Sequence, residues 1–217
     1  MRNYLSVLLL FLITFSCDTS IQREADLYQW INQEENGLIK SKRINGLELI
    51  VKYLPASYLV LKELKSIPLP SAEAIDSLEA QYEGNYTFLL TIKPIQSQGQ
   101  EDDVMYREVA SLAEYKQRAM QMNFGMEERV ELHIGESTLK PCLTSLENSY
   151  GLSTHRSIYM VFVEDEKSSV SEKKGALDFR FEDDIFATGI NHFVFKKSDL
   201  NNIPPINYHK IISTTNN

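Results

Sequence analysis

The sequence predicts an α+β fold, built on a mainly antiparallel β-sheet or a two-layer sandwich of about seven strands, with about four helices. Three observations support this prediction. Segments with the character of β-strands gather mainly after residue 128, segments with helical spacing lie in the N-terminal half, and no clear rhythm of strand, helix and strand indicates a parallel sheet. The 217 residues are 43% hydrophobic and 24% charged, which is typical of a globular domain with one core.

Four segments have apolar residues at the spacing of an amphipathic helix, and local signals mark their ends. Asn36-Gly37 is a predicted stop for the first helix, and Pro55 can open the second. Ser71 is a predicted N-cap for the third helix, with Glu73 in its first turn. The fourth segment is the longest and contains no Gly or Pro. The predicted helices cover residues 23–35, 56–65, 71–83 and 104–122.

Seven shorter segments have the alternation or the apolar character of β-strands. Asn45-Gly46 is a turn signal before the first strand, and residues 135–138 form a hairpin-type turn between the third and the fourth. Pro141 favours an edge position for the fourth strand, and the apolar fifth strand is predicted to be central. The predicted strands cover residues 47–53, 86–93, 129–134, 139–146, 157–163, 177–182 and 190–196.

The N-terminus has the pattern of a targeting segment. Arg2 supplies a positive charge, and an apolar run follows from Leu5 to Phe15. The run is too short to cross a bilayer core of about 30 Å, which requires about 20 apolar residues, but it suits the apolar region of a secretory signal. We therefore expect a signal peptide over residues 1–16, a tether over 17–22, and a single α+β domain over 23–217 that ends in a loose tail.

The end of the apolar run, Thr14-Phe15-Ser16-Cys17, resembles the lipobox of bacterial lipoproteins, although Thr14 stands where Leu is commoner. The resemblance implies cleavage before Cys17, diacylglycerol on its sulfur, and fatty acylation such as palmitate on the new amino group. Several acyl chains give stable anchoring. The expected location is the cell envelope, with the choice of membrane and leaflet left open. The alternative is an ordinary cleaved signal with an incidental cysteine.

The order of features further along the chain is similar to that of uncharacterised lipoproteins of the Bacteroidota. The stretches that carry this similarity are Asn36-Gly37-Leu38 with Lys40 and Lys42, Asn45-Gly46, Val51 to Pro55, Phe179 to Phe181, Gly189, Phe193 to Phe195, and Ile203-Pro204. The similarity spans most of the mature chain. It implies a location and no known activity.

Charge and motifs argue against several classes of function. A formal charge of −8 argues against a nucleic-acid binder that relies on a basic face. The chain lacks the motifs of serine hydrolases, P-loops, dinucleotide-binding folds and zinc sites. Three acidic runs, at 101–103, 164–166 and 182–184, lack the spacing of calcium loops and are interpreted as solvated turns. The sequence therefore predicts no catalytic residue, no metal ligand and no cofactor.

Cys142 has no partner for an intramolecular disulfide if Cys17 carries lipid. His133 lies across the predicted hairpin from Cys142, so a thiol hydrolase is one hypothesis. A small buried hydrophobic residue is the commoner role of a lone cysteine.

The preferred hypothesis is a lipid-anchored, non-catalytic module that binds an envelope protein or takes part in an assembly. Its partners would be the membrane, through lipidated Cys17, and a protein of the cell envelope. Trp30 is a possible interface residue, either at the lipid headgroups or at a partner, although packing on the domain is the commoner role of such a residue. The alternative is a lipoprotein that binds a small molecule or a glycan, which needs a concave pocket.

Overall fold

A computed structural model describes residues 20–67, 70–95, 103–148, 153–164 and 175–215. Cys17 and the predicted signal peptide lie outside these residues. The described chain contains nine strands and seven α-helices, more of each than the sequence predicts. All paired strands are antiparallel. The predicted α+β class with antiparallel sheets is therefore confirmed, and the predicted counts are too low.

The helices are α1 (Glu24–Asn32), α2 (Ala56–Leu64), α3 (Ala72–Tyr82), α4 (Leu112–Phe124), α5 (Met126–Arg129), α6 (Lys197–Asn201) and α7 (Tyr208–Thr215). The strands are β1 (Ile39–Ile44), β2 (Leu47–Leu54), β3 (Asn85–Pro94), β4 (Val130–Ile134), β5 (Ser137–Leu139), β6 (Leu143–Leu146), β7 (Arg156–Val163), β8 (Ala176–Asp183) and β9 (Gly189–Lys196).

The strands form two sheets. The five-stranded sheet has the order β1-β2-β3-β7-β6, and the four-stranded sheet has the order β5-β4-β8-β9. The predicted strand at 157–163 is indeed interior, because β7 lies between β3 and β6. Both halves of the chain contribute to the five-stranded sheet, since β1 to β3 precede residue 128. Six of the nine strands nevertheless follow residue 128, so the predicted concentration of strands in the C-terminal half is confirmed.

Phenylalanine side chains join the two sheets into a sandwich. The ring centroid of Phe88 on β3 lies 6.0 Å from that of Phe162 on β7. It also lies 5.2 Å from those of Phe179 on β8 and Phe195 on β9, in the other sheet. All four side chains are buried. Such tilted and edge-to-face pairs add to the free energy gained from burying the rings.

Helices cover the outer face of the five-stranded sheet. Lys52 lies on the face of β2 opposite to Val51 and Tyr53, because side chains alternate along a strand. Its Nζ donates a 2.5 Å hydrogen bond to Asn32 at the end of α1. Glu24 of α1 pairs with Lys65 after α2 at 2.7 Å, and α3 packs against α2. These helices form a third layer, on the side of the five-stranded sheet away from the four-stranded one.

Strand β1 was not predicted, because its sequence IKSKRI has too few apolar residues. Its lysines explain how this polar strand is stable at the edge of the five-stranded sheet. Lys40 Nζ lies 5.9 Å from the ring centroid of Phe195, and Lys42 Nζ lies 5.5 Å from that of Phe193. The lysine stems cover the buried rings while the ammonium groups reach solvent.

The predicted helix over 104–122 is wrong at its start. Its first residues form turns, and Arg118 Nη1 donates hydrogen bonds to the carbonyl oxygens of Val104, Met105 and Arg107 at 2.6–3.2 Å. Helix α4 begins after Ser111, whose Oγ accepts from the Glu114 amide, while the Glu114 carboxylate accepts from the Ala110 amide. This reciprocal cap fixes the helix start.

The predicted strand over 139–146 is divided between the two sheets. Residues 137–139 pair with β4, whereas residues 143–146 pair with β7. The turn is therefore shorter than the predicted 135–138. Pro141, which has no amide donor, lies in the crossover, and the Cys142 amide donates to the Val161 carbonyl oxygen at 2.8 Å.

The C-terminal segment packs on the domain as far as Ile212, and the end of the chain, which was predicted to be loose, lies partly outside the described residues. Ile206 forms a parallel bridge with Ile21, and Ile211 and Ile212 of α7 are buried. Apolar side chains every third or fourth residue give this short helix a buried face. The same bridge shows that the predicted tether over 17–22 is already part of the fold at Ile21.

Asp183 holds the loop between β8 and β9. Its buried carboxylate accepts hydrogen bonds from the amides of Ile185, Phe186 and Thr188 at 3.0–3.2 Å, and from the Thr188 hydroxyl at 2.6 Å. Asp183→Ala leaves these donors unpaired, and we expect it to lower the free energy of unfolding by about 2–4 kcal/mol. Urea denaturation measures the change.

The neighbouring Glu182→Ala is the control, because Glu182 is exposed on the same strand. Equal losses of stability in the two variants would contradict the role given to Asp183.

Candidate functional site

Two adjoining cavities form a groove along α3. One has a volume of about 570 Å³ and the other about 450 Å³. Asp76 and Glu79 line both. We call the two cavities together the acidic groove. Among the described residues, this groove is a concave surface lined by several carboxylate groups.

The walls of the larger cavity come from three separate parts of the chain. Tyr53, Pro55 and Ala56 stand where β2 passes into α2, and Glu83 follows the end of α3. The C-terminal segment supplies Leu200 and Ile203. The smaller cavity lies between α3 and residues 206–209, where the bridge to Ile21 fixes the segment.

Three carboxylates follow one face of α3. Asp76, Glu79 and Glu83 have spacings of three and four residues, which place them on the same side of the helix. All three are exposed, and within the described residues none forms an ion pair. Burial and the nearby Glu79 carboxylate raise the pKa of the Tyr208 hydroxyl. The groove therefore carries uncompensated negative charge.

Tyr53 supplies a polar group that lacks a partner. The residue is only 8% exposed, and its ring packs edge-on against Phe88 with centroids 5.4 Å apart. Burial raises the pKa of its hydroxyl to about 12. No hydrogen bond to this hydroxyl is made within the described part of the chain. Because Tyr53 lines the larger cavity, its hydroxyl is available to form a hydrogen bond with a molecule in that cavity.

A second surface is the outer face of the four-stranded sheet. We call it the polar sheet face, and its residues are Glu131, His133, Thr138, Lys140, Asp178, Arg180, Ile190, His192 and Val194. It lies opposite to the helical layer, across the Phe88 core. The exposed fractions of Ile190 and Val194 are 65% and 52%, so the described elements leave this face open to solvent.

Two hydrogen-bonded networks order the polar sheet face. In the first, Glu131 binds Lys140 at 3.2 Å and His133 Nε2 at 2.8 Å, and Thr138 contacts His133 Nδ1 at 3.1 Å. Hydrogen bonds from His133 and Lys140 lower the pKa of Glu131. These contacts link β4 and β5 and hold the charged groups in fixed positions.

Asp178 is the centre of the second network. Its Oδ2 lies 2.8 Å from Arg180 Nε and 2.9 Å from His192 Nδ1, whereas its buried Oδ1 has no hydrogen-bond partner among the described residues. Burial raises the pKa of the Asp178 carboxyl, but the hydrogen bonds and charges of Arg180 and His192 outweigh this effect, so the pKa lies below its usual value.

The structure does not bring His133 and Cys142 together. His133 pairs in register with Thr138 in the four-stranded sheet, and both its ring nitrogens contact other side chains. Cys142 is exposed in the crossover, and its Sγ lies 3.4 Å from the Val161 carbonyl oxygen. Sequence proximity across a hairpin was misleading because the second strand leaves the sheet at Pro141.

The other predicted positions are distributed over the molecule. Cys17 lies outside the described residues. Trp30 is half-buried on α1 and packs against the core. Of the acidic runs, Asp103 pairs with Arg156 at 2.8 Å, and Asp184 pairs with Arg129 at 2.5 Å. Within the described residues, no three His, Cys, Asp or Glu side chains are placed to hold a metal ion.

Sequence reasoning missed the groove, although part of its signal was present. The helical spacing of Asp76, Glu79 and Glu83 is visible in the sequence. The opposite wall is not, because Leu200 and Ile203 reach the groove only through the return of the C-terminal segment. Tyr53 was predicted on a strand, but nothing local shows that its hydroxyl lacks a partner.

Asp178→Asn tests the second network through pH. Because the pKa of Asp178 is lower in the folded protein, the carboxylate stabilises the fold above its unfolded pKa of about 3.9. We expect the variant to lose about 1 kcal/mol at pH 7. The difference from wild type should shrink as the pH falls from about 4 through the lower folded pKa.

Urea denaturation at pH 7 and at low pH measures both values. Glu136→Gln, at an exposed turn position, is the control. A loss that stays constant with pH would contradict the electrostatic role of Asp178.

No protein-family model matches the chain, and no curated protein matches it. Among solved structures, a novel protein of unknown function from Burkholderia pseudomallei K96243 is similar over 92% of this chain and 100% of that chain. The sequence identity is 12% and the TM-score is 0.40. These comparisons assign neither a family nor an activity.

Proposed function

We propose that the protein is a lipid-anchored module of the cell envelope that binds a protein partner through the polar sheet face. Cys17 carries the lipid, and the α+β domain performs no catalysis. The observation that carries this proposal is that the helical layer and the polar sheet face lie on opposite sides of the sandwich. The chain enters the fold at the helical layer, and the open, charged sheet lies on the other side of the sandwich.

The entry point supports a position close to the membrane. The Ile21 amide donates to the Pro205 carbonyl oxygen at 2.8 Å, and the Ile21 carbonyl oxygen accepts from Asn207 at 2.9 Å. Ile21 is four positions after Cys17, and four extended residues span at most about 14 Å. A lipid on Cys17 would therefore hold the helical layer near the headgroups. Among the described residues, no helix is long and apolar enough to cross a membrane.

The polar sheet face has features that suit protein recognition. Charged groups of both signs are held in fixed networks, which favours specificity through complementary charge. Exposed Ile190 and Val194 add apolar area on β9, the edge strand of this face. Since this face lies opposite to the anchored side, a partner would reach it without displacing lipid.

A second candidate function is the binding of a small molecule, and the acidic groove favours it. The larger cavity is within the range of about 300–1,000 Å³ that is common for ligand sites. The cavity provides an aromatic residue and apolar walls as well as carboxylates. The thiol-hydrolase hypothesis gains no such support, because Cys142 lies in the crossover beside Val161 of the five-stranded sheet, whereas His133 belongs to the four-stranded sheet.

Cys17→Ser tests the anchor. We expect the variant to move from the membrane fraction to the soluble fraction of the envelope, because no acyl chain holds it. Fractionation followed by immunoblotting measures the distribution. Cys142→Ser is the matched control and should remain with membranes. A Cys17→Ser variant that still partitions entirely with membranes would falsify the lipid anchor.

Val194→Arg tests the proposed partner surface. We expect the lipidated wild-type protein, purified from gently solubilised native membranes, to retain a stoichiometric protein partner. Val194→Arg should lose most of it, because a charge with a long side chain replaces an exposed apolar contact on this face. Tyr28→Arg, at a similarly exposed position on α1 (57%), is the control. Equal retention by both variants would contradict binding through this face.

A further inference from the structure

We propose that the acidic groove binds a linear aliphatic polyamine, a small organic cation with two or more ammonium groups. This inference does not depend on the lipid anchor or on the polar sheet face. It rests on three features of the groove: a row of carboxylates that form no ion pair among the described residues, an apolar wall opposite to them, and the Tyr53 hydroxyl, which has no hydrogen-bond partner among the same residues.

The charge of the groove selects a cation. Asp76, Glu79 and Glu83 line the groove, and among the described residues its lining contains no lysine or arginine, with His209 at the smaller cavity. Like charges three and four residues apart on a helix repel each other. Because all three carboxylates are exposed, each single ion pair is weak. Useful affinity therefore requires several contacts at once, which favours a ligand with several positive charges.

The spacing of the carboxylates favours a linear chain of charges. With a rise of about 1.5 Å per residue, Asp76 and Glu79 are separated by about 4.5 Å along the helix axis, and Glu79 and Glu83 by about 6 Å. Bonds of about 1.5 Å place two ammonium groups joined by three or four methylene groups about 5–6 Å apart. A polyamine can thus match successive carboxylates along α3.

The opposite wall suits the methylene groups. Pro55, Leu200 and Ile203 provide apolar surface across from α3, and burial of methylene groups against it is favourable. Tyr53, only 8% exposed, lines the same cavity, and no described group hydrogen-bonds to its hydroxyl. Its oxygen can accept a hydrogen bond from an ammonium group. This feature is independent of the carboxylates and points to the same ligand.

A metal ion fits the groove less well. The carboxylates follow one another along a helix, whereas a calcium site needs six or more oxygen ligands converging on one point. The described residues contain no group of three side chains placed to hold a metal ion. The extended arrangement therefore favours an extended organic cation.

Isothermal titration calorimetry of the full-length protein, extracted in detergent, with spermidine as the probe, tests the proposal. We expect saturable binding at one site, which weakens as salt is added. The double variant Asp76→Asn/Glu79→Gln should weaken binding at least tenfold. Tyr53→Phe should weaken it several-fold, since it removes one hydrogen bond and leaves the ring in place.

A control variant separates binding at the groove from general attraction to a protein with a charge of −8. Glu127→Gln/Glu128→Gln removes the same charge from exposed positions on α5 and should leave the affinity unchanged. Glu83→Gln alters an exposed rim carboxylate without risk to the fold and should weaken binding moderately. Equal losses in the groove and α5 variants, or no saturable binding to the wild-type protein, would overturn the proposal.

Discussion

The packing of Phe88 against Phe162, Phe179 and Phe195 is the contact on which the rest of the structure depends. Two of these rings belong to the other sheet, and Phe162 also packs against Phe179 across the same interface, with ring centroids 6.1 Å apart. Truncating a buried phenylalanine typically costs about 3–5 kcal/mol, and a domain is stable by only about 5–15 kcal/mol. Without this cluster, neither sheet would hold its register against the other.

The division of surfaces follows from this core. Once the inner faces are joined, each sheet has one outer face left. Helices cover the outer face of the five-stranded sheet, where Asn32 binds Lys52. On the outer face of the four-stranded sheet, the charged networks around Glu131 and Asp178 face solvent. The C-terminal segment then leaves β9 and returns to α3, where it closes the acidic groove and pairs with Ile21. The packing of the two sheets thus determines where the chain enters the fold, where the groove forms and which face stays open.

Local signals in the sequence were sufficient for elements whose ends are set by neighbouring residues. Alternation predicted β2, and Ser71 predicted the start of α3, where its Oγ accepts from the Ala74 amide at 3.3 Å. The start of α4 was missed because the apolar spacing continues upstream of the local cap formed by Ser111 and Glu114. Strand β1 was missed because distant contacts stabilise it: its lysine stems lie over phenylalanine rings of β9.

The candidate site was less predictable than the fold for the same reason. Three carboxylates on one helix face can be read from the sequence, but an exposed helix often carries such residues. They become a site only when Tyr53 and the C-terminal segment stand opposite, which requires contacts between residues more than a hundred positions apart. The polar sheet face is open only because the helices cover the other sheet. Alternation along a strand shows which residues share a face, but it does not show which sheet the helices cover.

The orientation of the domain on the membrane is the central claim of this account, and fluorescence quenching tests it most directly. Single cysteines at Tyr28 and at Val194, in the Cys142→Ser background with Cys17 lipidated, would carry a fluorophore in vesicles that contain headgroup-nitroxide lipid. We predict strong quenching at position 28, in the helical layer, and weak quenching at position 194, on the polar sheet face. Equal quenching, or stronger quenching at position 194, would contradict the proposed orientation.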